Sequence, residues 1–138
     1  MLQKIPDSAA PCGVYCGACP SFKLSCNGCG SENKNQRRES KWGCRIRVCC
    51  FVKKNLNFCY KCEEFPCKIY SKKLCESHKG DKRYQYRHEL QSNLEAIKKI
   101  GIEKWLNEQK TRWQCPKCFG TIRFYHYKCP DCGLNKQI

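Results

Sequence analysis

Five C-x2-C pairs, Cys16/Cys19, Cys26/Cys29, Cys59/Cys62, Cys115/Cys118 and Cys129/Cys132, are the residues whose type and spacing can do chemistry in this chain. Two thiolates separated by two residues converge on one ion from a tight turn, each about 2.3 Å from it, and two such turns complete a tetrahedron. With 16 cysteines in 138 residues, thiolate-bound metal is the chemistry to expect. The rival framework is disulfides, which belong to oxidising compartments. The N-terminal residues lack an apolar run of signal-peptide length, and no segment approaches the roughly 18 apolar residues of a membrane span. A soluble cytoplasmic protein without a membrane partner is the expectation, and there the pairs read as metal ligands.

The C-terminal pattern, Cys115-Pro-Lys-Cys118, then Cys129-Pro-Asp-Cys132-Gly133 after ten intervening residues, looks like a zinc ribbon. Its turns are expected to point backbone N–H groups at the sulfurs, with a glycine after the second cysteine for backbone freedom. Gly133 fills that place in the second turn, whereas the first has Phe119 there and Gly120 one residue later. Residues 121–128 (TIRFYHYK) have the composition of two short strands. Alternation sets Arg123, Tyr125 and Tyr127 on one face, against Ile122, Phe124 and His126. That first face is either a stacking surface for bases or, the favoured reading, a cover for the metal that packs on Trp113.

In the N-terminal half, Cys16, Cys19, Cys26 and Cys29 are assigned to one ion and Cys44, Cys49, Cys59 and Cys62 to another, with Cys12 and Cys67 as alternative ligands. About three zinc ions are thus expected in all. The competing reading takes Cys12-x3-Cys16-x2-Cys19 as part of an iron–sulfur cluster completed by Cys67 or another distant thiolate, with zinc only at the C-terminus. The motifs CGVYCGACP, CRIRVC and FCYKCEEFPC in residues 12–67 are similar to those of a prokaryotic family of cysteine-rich proteins of unknown function. That resemblance implies metal binding and no particular activity. Cys50 and Cys75 lie outside its pattern and read as buried or incidental thiols.

The elements that must position these ligands are short. Residues 45–52 and 66–75 each have the length of two or three helical turns, with Pro66 suited to a first helical position. The clearest periodicity is Tyr86, Leu90, Leu94 and Ile97, a helix with Asp81 as N-cap and Gly101 as its stop, followed by a second helix carrying Ile102, Trp105, Leu106 and Trp113. The expected fold is a small metal-stapled α+β protein: a cysteine-rich region over residues 1–75, a two-helix hairpin over 76–114 and a ribbon β-hairpin over 115–138. Few aliphatic residues are available for a core, so the ions act as staples.

The chain carries 27 Lys and Arg against 12 Asp and Glu, a formal charge of +15. Three four-thiolate sites, each with a local charge of about −2, would leave roughly +9. A basic surface attracts polyanions. Arg37, Arg38, Lys41, Arg45, Arg47, Lys53 and Lys54, with Arg123, Tyr125 and Tyr127, are the candidate contacts to RNA or a ribonucleoprotein. A face around Trp105 is the candidate dock for an acidic protein partner. No phosphate loop, H-E-x-x-H helix or nucleophile elbow is present, so no catalytic residue is assigned. A thiol lowered by neighbouring cations is the place to look for redox chemistry, Cys49 and Cys50 first.

Overall fold

Regular structure in this protein, seen in a computed structural model that describes residues 5–138, is helical. The α-helices are α1 (Arg45–Arg47), α2 (Lys68–Tyr70), α3 (Leu90–Ile100) and α4 (Ile102–Arg112), separated by 3-10 turns and irregular loops. Among the described residues no strand or sheet forms, and extended pairing is confined to isolated bridges such as Arg123 with Lys128 and Gln114 with Thr121. The expected α+β class, with its C-terminal ribbon β-hairpin, is therefore corrected. The reason lies in residues 121–128, where Tyr125 and Tyr127 take φ of 75° and 50°. That left-handed region cannot continue a strand. The alternation fails with it, because Tyr127 is buried together with Ile122 and Phe124 instead of sharing a face with Arg123.

The helical pair follows its periodicity. The Asp81 carboxylate accepts from the Arg83 N–H at 3.0 Å and opens a 3-10 stretch, Lys82–Glu89, that runs into α3. Leu90, Leu94 and Ile97 form the buried face of α3. Gly101, at φ 89°, ends α3 and begins α4 within one residue. A backbone turn of that hand suits a residue without Cβ. Beyond it Trp105, Gln109 and Trp113 recur every four residues on the buried side.

The two shorter helices form where expected but wind differently. After α1 the chain widens into a π turn, Val48–Lys53, and after α2 into another, Ser71–Glu76. Helix α2 begins at Lys68, with Cys67 as its N-cap, so Pro66 is not its first residue.

One cluster of buried side chains draws on all three compositional segments of the chain. Tyr86 stacks on Phe124 at 4.1 Å, and Trp113 meets the Phe124 ring edge-on at 4.9 Å. Each such ring contributes on the order of 1.5–3 kcal/mol by burial. Backbone bonds pin the C-terminal segment at two points, Ile122 N–H to the Trp113 carbonyl at 2.7 Å and Phe124 N–H to the Ala18 carbonyl at 2.8 Å. No helix among the described residues is long and apolar enough to cross a membrane.

Candidate metal centres

Cys115, Cys118, Cys129 and Cys132 meet at one point, their Sγ atoms all within 4.8 Å of one another. Cys115 and Cys132 are 3.5 Å apart and Cys118 and Cys129 3.4 Å. Sulfurs at the corners of a zinc tetrahedron stand about 3.8 Å apart, given bonds of about 2.3 Å. The two turns are built alike. Phe119 N–H donates to the Cys115 carbonyl at 2.8 Å, and Gly133 N–H to the Cys129 carbonyl at 2.9 Å.

Backbone N–H groups of Lys117 and Cys118 reach the Cys115 sulfur, that of Gly120 reaches Cys118, and that of Leu134 reaches Cys132. The four sulfurs converge, with backbone donors around them, without the expected β-hairpin. These donors set the acidity of the sulfurs. Burial alone would raise Cys115, but the Cys118 and Lys117 N–H groups, with the adjoining thiols, hold it at about 6. Cys118 goes the other way: the Gly120 N–H favours its ionised form, yet the bond with Cys129 and local desolvation at this exposed residue keep its proton on, up to about 12. The donor set fits a closed four-sulfur site.

In the N-terminal half, Cys29 N–H donates to the Cys16 sulfur and Gly28 N–H to the Cys26 sulfur, each at 3.4 Å. The bond from the Cys16 thiol lowers Cys29 to about 7; burial opposes this, and the charges of Lys41, Arg38 and Arg47 reinforce it. Cys19 accepts from Arg38 at 3.9 Å. Three cations thus surround Cys16, Cys19, Cys26 and Cys29. Two of them are interior, with Lys41 4% and Arg47 5% exposed. Lys41 donates to the carbonyls of Gly28 and Ser31, and Arg47 to those of Cys29 and Ser31. A buried charge needs a counter-charge. Glu32, 3.5 Å from Arg47, supplies one, and ionised thiols would supply others.

The remaining ligand candidates divide differently from the expected set. Cys49, Cys59 and Cys62 line one cavity together with Cys50 and Cys67, whereas Cys44 is not among its walls. The Lys73 ammonium lies 3.3 Å from the Cys44 sulfur. Cys12 is half-buried; desolvation of its sulfur raises its thiol, and Cys29 and Cys44 raise it further.

Of the candidate nucleic-acid contacts, Arg37, Arg45, Lys53 and Lys54 are exposed, Lys54 paired with Glu64 at 2.8 Å. Lys41, Arg47 and Tyr127 are inside, and Tyr127 donates to the Arg83 carbonyl at 3.1 Å. Arg123 donates to the Gly17 carbonyl at 2.6 Å, and the half-buried Tyr125 packs edge-on against Tyr84. Trp105, placed by sequence on a docking face, is 1% exposed. The internal work of Lys41 and Arg47 left no sequence signal beyond their nearness to cysteines.

A model of a family described as "Protein of unknown function (DUF3795)" matches residues 21–72. The match takes in CRIRVC and FCYKCEEFPC; CGVYCGACP and the C-terminal cysteines lie outside it. The chain is thus similar over that stretch to an uncharacterised cysteine-rich family. No curated protein and no solved structure matches it.

Proposed function

We propose that the chain is a non-enzymatic zinc module whose basic exterior binds RNA, alone or in a ribonucleoprotein. The observation that carries the metal half is the convergence of Cys115, Cys118, Cys129 and Cys132 within 4.8 Å. Four sulfurs fill a tetrahedron and leave no open position for a reacting water, so such an ion stabilises a fold. A second zinc belongs at Cys16, Cys19, Cys26 and Cys29, where Lys41 and Arg47 would offset part of the roughly −2 charge of a four-thiolate ion. The RNA half rests on the net charge of +15 and on the cations that remain exposed, Arg37, Arg45, Lys53 and Lys54.

Two measurements test the two halves. Elemental analysis is expected to find at least two zinc ions per chain, and less than one would sink the metal half. Four phosphate contacts give a log–log salt slope of about −3 to −4 for single-stranded or duplex RNA. A flat response between low and moderate salt, or equal binding after Arg37, Arg45 and Lys53 are changed to Ala together, would remove the RNA half. Retention of an acidic protein from nuclease-treated lysate, with no RNA affinity, would replace it by the acidic-partner reading.

A further inference from the structure

Two turns far apart in the chain bring three rings and two guanidinium groups to one place at the surface. His78 stacks on Tyr84 with the ring centres 4.2 Å apart and the planes 18° from parallel, and Tyr125 meets Tyr84 edge-on at 5.7 Å. The Arg87 guanidinium lies over Tyr84 at 4.5 Å, and that of Arg83 lies 5.6 Å from Tyr84 and 5.5 Å from Tyr125. His78 and Arg83 are exposed; Tyr84, Arg87 and Tyr125 are half-buried. Tyr125 alone among them is a contact expected from sequence.

Both turns hold their ring at a backbone conformation uncommon for a residue with a side chain, His78 at φ 57° and Tyr125 at φ 75°. Phe124 and Tyr127 pack inward on Tyr86 and Trp113, while Tyr125 between them stays at the surface. The first turn is closed by Asp81 N–H to the His78 carbonyl and Tyr84 N–H to the Asp81 carbonyl, both at 3.0 Å. Arg87 is tied by its donation to the Lys73 carbonyl at 3.2 Å. An exposed imidazole adds little to the core, so the strain at His78 is not offset by burial, and strain of that kind collects at functional sites. Rings ordered in advance lower the cost of binding.

We infer that His78, Arg83, Tyr84 and Tyr125 form a stacking site for an unpaired nucleotide, so that the RNA this chain binds is single-stranded. The inference rests on the RNA reading above and adds the form of the RNA. One face of His78 lies on Tyr84, which leaves the other open to a base. Every base has a π face, so stacking there is indifferent to sequence, but the base must be out of its duplex. Arg83, beside both tyrosines, and the exposed Lys82 next to it in sequence meet the phosphates. The adjoining acidic residue, Asp81, turns its carboxylate to the Arg83 N–H at 3.0 Å. An acidic protein would satisfy the cations and leave the ring faces unused.

The test titrates a uridine oligomer and a stable RNA duplex of equal phosphate number, at one salt concentration, into the full chain purified without chelator. Charge alone favours the duplex, whose phosphates are denser. The expected result is the reverse, the single strand bound at least about tenfold tighter. Duplex bound equally or better would overturn the inference and leave the RNA reading standing. His78→Asn, which tolerates the left-handed turn and lacks the ring, should weaken the single strand about five- to a hundredfold and spare the duplex. His78→Phe should bring binding back to within about threefold of wild type. Single strands bound by His78→Asn as by wild type, or His78→Phe as weak as His78→Asn, would overturn the site. If neither RNA binds, or a polyglutamate peptide binds more tightly than both, the RNA reading falls and the inference with it. The comparison of the two RNAs needs no variant, so a substitution that fails to fold leaves the inference falsifiable.

Discussion

Phe119 sits where the second knuckle places a glycine. Its φ is 65° against 82° for Gly133, and its ring is 72% exposed. A left-handed residue with a side chain costs about 1–2 kcal/mol, and glycine gives back part of that through a freer unfolded chain. Phe119→Gly is therefore expected to stabilise the zinc-loaded protein by about 0.5–1 kcal/mol in denaturant melts; no change would mean the turn is not strained there. Gly30 is the opposite case. A Cβ there would collide with the Pro6 and Ala9 carbonyl oxygens, both backbone atoms that cannot swing away. Gly30→Ala should lower stability by about 2 kcal/mol or more in the same melts, as overpacking of a closed site does. At this scale the knuckle glycine and its missing twin were legible from spacing alone. The interior position of Lys41 and Arg47 was not, because a cation near cysteines serves equally as a surface charge or as the counter-ion of a thiolate.

Among the elements, legibility followed the length of the periodic signal. Helix α3 and helix α4 carry their apolar residues every three to four positions, and Gly101 marks the break between them, so both were readable. Residues 121–128 were not: their β-branched and aromatic content is real, but Tyr125 and Tyr127 turn left-handed while Phe124 and Tyr127 pack towards Trp113, and contacts far along the chain outweigh strand propensity. The loop over residues 26–31 likewise depends on partners remote in sequence, since Lys41 donates to Gly28, Ser31 and Gln36 at 2.9, 3.1 and 3.0 Å. Lys41→Met removes three hydrogen bonds and a charge while keeping most of the apolar stem. It should lower stability by about 2–4 kcal/mol and weaken metal retention in the N-terminal half, leaving the C-terminal zinc in place. Competition with a chromophoric chelator, which reports the two classes of ion separately, checks this; equal weakening of both would show that Lys41 acts on the whole fold.

The molecule exposes 8621 Å². A globular protein of 16.2 kDa ordinarily exposes about 7,500 Å², so this one buries less of itself than its mass allows. Its core is a layer of rings and a few aliphatics shared among loops, and on the proposed reading four-thiolate ions would join what that layer does not. One structural zinc contributes on the order of 10–16 kcal/mol, as much as the whole stability of an ordinary domain. Stripping the ions under reducing conditions is therefore expected to abolish cooperative melting and to shift Trp113 fluorescence to the red, both restored by adding zinc back; a metal-free chain that still melts cooperatively within a few degrees of the loaded one would contradict this.

Acidity gives the metal-free chain a second signature. Cys29 at about 7 and Cys115 at about 6 lie below the usual thiol value of 9.0, so what they add to stability is complete above pH 9 and lost as pH falls through those values. Cys118, pushed to about 12, has the opposite sign: its share is complete below pH 9 and lost as pH rises towards 12. Any residual structure of the metal-free protein should therefore be most resistant to urea at about pH 8–9 and weaker at both pH 6 and pH 11. Zinc reverses the alkaline half of that profile, because bound metal holds every ligand ionised and only protons compete with it. The loaded protein should weaken on acidification alone, and a loaded protein whose urea midpoint falls between pH 8 and pH 10 would show that the C-terminal sulfurs are not its ligands.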